Sequence, residues 1–221
     1  MLSFFAPTRP KLMFLALWSA YLVFEAVTGF LRTQWAPALL VLVFFYCMGC
    51  VFAVWAEKAR LPLSLSGLSA AAGACLLLDQ GLKALIAATL PAGQALALLP
   101  GALEIEYAQN LRTSWLVQRL NLEFMSRPLM IGLTLLLLVL FAVAAYRSRD
   151  ALLKSPWTGL AFVFLAAGVL SALADQTLRG FTVDFIGLPG LFVADLKDIF
   201  LFLGVSSGLN AGLETPSTPD A

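Results

Sequence analysis

The chain has 221 residues, of which 61% are hydrophobic and only 12% charged, and its mean hydropathy is +0.90. A soluble domain carries roughly 25% charged residues, so lipid must be the solvent for much of this surface. The net charge of +1 offers no basic field for nucleic acid, and the lack of histidine excludes Ser-His-Asp and Cys-His catalysis and any His-ligated metal site.

A spanning helix needs about 20 mostly apolar residues. The first candidate is 12–30, preceded by Arg9 and Lys11. No small-residue cleavage site stands before Arg32, so it reads as a retained helix rather than a removed leader. The second is 35–55, which holds Cys47 and Cys50 on one helix face. With no further ligands beside them, these and Cys75 read as small apolar packing residues. Arg60-Leu61-Pro62 forms a joint, and residues 1–60 are expected to be an accessory two-helix module. The third span is 63–85.

Residues 89–127 form the one long extramembrane piece between spans. Within it Leu103-Glu104-Ile105-Glu106-Tyr107 alternates as a strand does, after a Pro100-Gly101 turn signal. A small β element is expected around 98–120, outside the cytoplasm. Spans at 129–146, 157–174 and 199–211 follow, the last starting nearer Leu191 or Ala194. Residues 61–213 make a four-helix unit, and 214–221 a disordered polar tail. The expected fold is thus an all-α polytopic membrane protein of about six spans with a small β element. Six spans put both termini on one side. The basic clusters at 57–60 and 147–154 favour the cytoplasm.

An ionisable residue inside a membrane costs about 3 kcal/mol on insertion scales, so each calls for a function or a partner. Glu25 stands alone in the first span. Asp79 and Lys83 lie four apart on a helix and can form a salt bridge. Asp175 closes the fifth span, Asp184 follows in a short loop, and Asp195 and Asp198 open the sixth. Crowded carboxylates push each other's pKa values apart, so one can activate water while another donates a proton. Charge spacing alone leaves an aspartyl protease and a set of solvated interfacial acids equally open. A transporter would place acids near the midplane, between inverted repeats. These acids cluster at one end and no repeat is present.

The order of motifs resembles the signal peptidase II family across residues 63–210. Asp79-Gln80-Gly81-Leu82-Lys83 is similar to the family's D-Q-x-T-K, and the strand ending at Asn110 resembles the approach to its N-x-G-A-A-F. Arg112 and Trp115 stand where small residues are usual. Gly168 and Asp175 fit G-G-A-x-G-N-x-x-D-R, with Ala172 and Gln176 at the Asn and Arg. Gly180-Phe181-Thr182-Val183-Asp184-Phe185 matches G-x-V-V-D-F. For the final F-N-x-A-D, Ala194-Asp195 is the literal pair. Asp195-Leu196-Lys197-Asp198-Ile199-Phe200 with Gly204 is the better register, and it puts Asp195 at the Asn.

The resemblance implies an aspartyl endopeptidase with a dyad of Asp184 and Asp198 near the outer face of a bacterial inner membrane. Asp79, Lys83, Asn110, Asp175 and Asp195 would support the dyad or hold substrate. Lys197 would lower the pKa of Asp198 or pair with it or Asp195. The implied partners are membrane lipids and a prolipoprotein carrying diacylglycerol on its cysteine, cut just before that cysteine. No metal or organic cofactor is implied. The departures leave room for a relative that binds such substrates without cutting them.

Overall fold

The computed structural model describes residues 2–28, 35–111 and 126–214. Arg112 and Trp115, and all but Glu214 of the expected tail, lie outside them. Among the described residues the chain order is α1 (Leu2–Phe5), α2 (Arg9–Val27), α3 (Trp35–Lys58), α4 (Leu65–Thr89), β1 (Ala95–Leu99) and β2 (Leu103–Asn110). There follow α5 (Arg127–Arg147), α6 (Arg149–Lys154), α7 (Pro156–Ala174), a π-helical turn (Asp175–Arg179), β3 (Thr182–Leu188), β4 (Phe192–Ala194) and α8 (Leu196–Gly212).

The helix starts follow local chemistry. Pro10, Pro128 and Pro156 stand in the first turns of α2, α5 and α7, where a missing N–H costs nothing. Ser64 and Ser155 cap α4 and α7 by accepting from the Gly67 and Thr158 amides at 3.1 and 3.2 Å. Among the described residues, five helices are long and apolar enough to cross a membrane: α2, α3, α4, α5, and α7 with its π turn. This is a polytopic membrane protein. The sixth expected span is α8, of 17 residues, or roughly 25 Å at 1.5 Å per residue.

The sheet exceeds the expected element. Four antiparallel strands pair in the order β1-β2-β3-β4. Asp184 therefore sits in a strand, opposite Ala108 of β2, and not in a loop. Both tight connections are Pro-Gly turns. The Ala102 amide donates to the Leu99 carbonyl and the Leu191 amide to that of Leu188, each at 2.9 Å. Gly101 and Gly190 take φ values of +72° and +77°, as the third position of a type II turn requires.

Helix α8 packs along α7, and Gly204 permits the approach: a Cβ there would lie 3.0 Å from the Leu165 amide nitrogen and 2.7 Å from its Cγ. Helices α2 and α3 join the same core through rings. Phe14 meets Trp157 at 6.1 Å between centroids, Phe45 meets Phe202 at 5.3 Å, and Phe52 meets Phe164 at 5.3 Å. The three cysteines are unbridged, and Cys50 is fully buried among apolar neighbours.

Candidate active site

Two lysines organise the acids. Lys83 Nζ lies 2.7 Å from Asp79 Oδ2, 2.6 Å from Asp175 Oδ2 and 2.6 Å from Asp195 Oδ2, and all four residues are fully buried. The expected Asp79–Lys83 pair is present, but it is one arm of a junction that ties the body of α4 to the exit of α7 and the entry of α8. Lys197 organises the second group. Its Nζ lies 2.6 Å from Asp195 Oδ2, 3.5 Å from Asp198 Oδ1 and 3.9 Å from Asp184 Oδ1. Asp195 Oδ2 touches both ammonium groups and links the two clusters.

Local structure fixes these positions. Asp195 is the N-cap of α8: its side chain accepts from the Asp198 amide at 3.1 Å, while Asp198 Oδ2 accepts from the Asp195 amide at 3.4 Å. This reciprocal capping box answers the helix's first unpaired donors. Asp79 Oδ1 accepts from a third, the Lys197 amide, at 3.1 Å. Burial alone would raise the Asp195 carboxyl, but the Lys197 and Lys83 charges and their hydrogen bonds hold it below the usual carboxylate range.

Asp184 stands differently. It is buried, and Asn110 donates to its Oδ2 at 2.9 Å. Its Oδ1 accepts no hydrogen bond among the described residues and faces Lys197. Burial pushes its carboxyl up to about 7, against the opposing pull of Lys197. Asp198 is the exposed partner, with 42% of its side chain accessible against 6% for Asp184. Carboxylate oxygens of Asp184, Asp195 and Asp198 lie within 4.8 Å of one another. One water can bridge oxygens at that separation with two ordinary hydrogen bonds. A cavity of about 730 Å³ reaches this group, with Asn110, Gln176, Asp184, Lys197 and Asp198 at its polar end and an apolar body.

All seven residues expected from the sequence therefore gather at one end of the helices. Three others belong to the network and were not singled out. Ser171 donates to Asp79. Gln80 donates to Ser171 at 2.9 Å and to Asp175 at 3.1 Å. Arg179 lies 3.0 Å from Asp175 Oδ1 and also donates to Gln80. Arg179 supplies the charge that Gln176 does not, from one turn further on. The signal was available: Ser171 and Arg179 stand four residues either side of Asp175. Glu25 is buried on α2.

A family model described as signal peptidase (SPase) II matches residues 71–210, so α2 and α3 lie outside the match. A lipoprotein signal peptidase of Nostoc sp. (strain PCC 7120 / SAG 25.82 / UTEX 2576) is 26% identical over 140 residues, covering 62% of this chain and 84% of that one. Two solved structures, of bacterial membrane enzymes determined by the in meso method at 2.3 and 1.9 Å, each superpose with a TM-score of 0.58. They are 20% and 22% identical, and cover 73% and 71% of this chain and 99% and 98% of their own. At that identity the likeness is one of fold.

Proposed function

The chain belongs to the signal peptidase II family, and we propose that it is an aspartyl endopeptidase that cuts lipid-modified prolipoproteins just before the diacylglyceryl cysteine. The observation that carries this reading is the pair of unlike carboxyls, Asp184 and Asp198, within reach of one water at the polar end of a largely apolar cavity. Asp198, the more exposed of the two, takes a proton from the water as it attacks the scissile carbonyl carbon. Asp184, whose carboxyl keeps its proton to about pH 7, gives it to the carbonyl oxygen. Collapse of the tetrahedral intermediate returns one hydroxyl proton to Asp184 and breaks the C–N bond, and the amine of the lipidated cysteine leaves with the proton held on Asp198. Asn110 orients Asp184, while Asp79, Lys83, Asp175 and Asp195 hold the helix ends that carry the dyad. The site lies near the outer face of the inner membrane, with both termini cytoplasmic.

The position of Lys197 favours a second reading. Its ammonium lies within 3.9 Å of both dyad oxygens, at the alanine of the family motif. A cation that took the place of the water would leave a protein that binds lipoproteins without cutting them. One assay separates the two: incubation of the purified chain with a diacylglyceryl-modified prolipoprotein. Under the first reading the wild type cleaves, and Asp184→Asn and Asp198→Asn each lose a hundredfold to ten-thousandfold, in the range of about 10²–10⁴ for general acid–base groups. Cleavage that survives both substitutions sinks the dyad. An inert wild type with a cleaving Lys197→Ala variant establishes the second reading. Asp195→Asn, at the motif's asparagine, tests the register and is expected to retain cleavage.

A further inference from the structure

Two cavities meet at Asp198. One is the active-site cavity. The other, of about 390 Å³, lies between α2, α3, the sheet and α8. Among the described residues, all that line it apart from Asp198 are apolar, Leu40, Val41, Phe44, Ile105 and Phe185 among them. Trp18, Phe192 and Phe202 line both cavities. Their rings touch, with Trp18 5.7 Å from Phe192 and 6.1 Å from Phe202 between centroids, and so form a wall between the two spaces.

The chemistry of the occupant follows from the lining. Water needs two or more polar partners to stay in a cavity, and here there is one carboxyl. A peptide would leave backbone groups unsatisfied against a wall whose side-chain donor, the Trp18 indole N–H, is already given to the Ala38 carbonyl. The volume falls within the roughly 300–1,000 Å³ of small-ligand sites. Helices α2 and α3 expose Val23, Leu39 and Val43 to hydrocarbon, so the apolar material at hand is an acyl chain. A ligand that branches is what the layout accepts: a head held at Asp198 sends one chain to each side of the aromatic wall.

We propose that the cavity between α2, α3 and the sheet is a subsite for one acyl chain of the diacylglyceryl cysteine, the other chain lying in the active-site cavity. The identity of the ligand rests on the function proposed above. One side of the subsite, with Trp18, Leu40, Val41, Phe44 and Phe45, comes from this chain's N-terminal helices, which lie outside the family match at residues 71–210, and the other side comes from the sheet and α8 within it.

The test uses the full chain carrying Asp184→Asn, in nanodiscs, with a diacylglyceryl lipopeptide bearing a diazirine near the end of one acyl chain. The expected result is photolabelling of α3 near residues 40–45 together with residues of the active-site cavity. Filling the subsite with Leu40→Trp, or more mildly Val41→Phe, is expected to cut α3 labelling about tenfold, the effect of roughly two buried methylenes. Leu136→Trp, on the exposed face of α5, is expected to leave it unchanged. Label confined to the active-site cavity overturns the subsite. So does equal α3 labelling by a phospholipid with the same diazirine chain, which marks a crevice filled by bulk lipid. Cleavage of the plain lipopeptide by the wild type is measured separately. No cleavage with α3 labelling defeats the catalytic reading and leaves the subsite standing, whereas cleavage without α3 labelling does the reverse.

Discussion

Burial raises the carboxyl of Asp184 to about 7, while Lys197 and the Asn110 hydrogen bond pull it down and Asp195 and Asp198 push it up. The sign for catalysis follows. A group that must donate a proton works below its pKa, so cleavage is expected to fall as pH rises through about 7. Asn110 donates to Oδ2 at 2.9 Å and so favours the ionised form. Its replacement by leucine keeps the site dry but removes that bond, so the pKa of Asp184 rises. The alkaline limb of the rate profile is then expected to move to higher pH, with kcat at pH 6 lowered less than kcat/KM if Asn110 also holds substrate. A limb that stays in place, or moves to lower pH, shows that Asp184 is not the proton donor. At this scale much was legible. Asp184 and Asp198 stood out as costly acids in an apolar chain. The sequence left Lys197 to pair with Asp198 or Asp195, and its shortest contact is with Asp195, at 2.6 Å.

Among the elements, the body of α4, the exit of α7 and the entry of α8 meet on a single ammonium. Lys83 is fully buried between three carboxylates, Asp79 of its own helix, Asp175 and Asp195. Removing one partner of a buried ionic group strands the others, at a cost of about 3–5 kcal/mol. Lys83→Met is therefore expected to lower thermal stability in detergent strongly, with Lys58→Met, on the exposed end of α3, as the neutral comparison. Equal melting of the two variants shows that the junction does not hold the helix ends together. The i, i+4 spacing of Asp79 and Lys83 announced a pair, but local spacing carries no information about Asp175, 92 residues away. The strand at Leu103–Asn110 was expected, but β3 and β4 were missed for a related reason. Six of the seven residues of β3 are buried, so it lacks the alternation that marks a half-exposed strand. The Pro189-Gly190 turn that follows it was the overlooked signal.

For the whole molecule, helix existence was legible and helix partnership was not. In a membrane the surrounding solvent is as apolar as the core, so a leucine facing lipid and one facing protein read alike. That is why α2 and α3 read as an accessory pair, although Phe14 and Trp18 are as deeply buried as any core residue. The same limit applies to α8, whose 17 residues fall short of the about 20 that span a bilayer without local thinning. Its capped end, at Asp195, lies at the acid cluster beside the sheet, so it must run from that surface toward the opposite one. If it reaches the other side, the chain crosses six times and both ends lie on one side, the cytoplasmic one in the orientation proposed above. Reporters that fluoresce only in the cytoplasm, fused before Met1 and after Ala221, are then both expected to shine. A cysteine placed at the exposed Gln94, in a variant whose three native cysteines are replaced by serine or alanine, is expected to react with a membrane-impermeant reagent from outside. A dark C-terminal reporter beside a bright N-terminal one makes α8 a helix that stops short. The dyad would then sit on a partly inserted element, and its depth would have to come from the sheet instead.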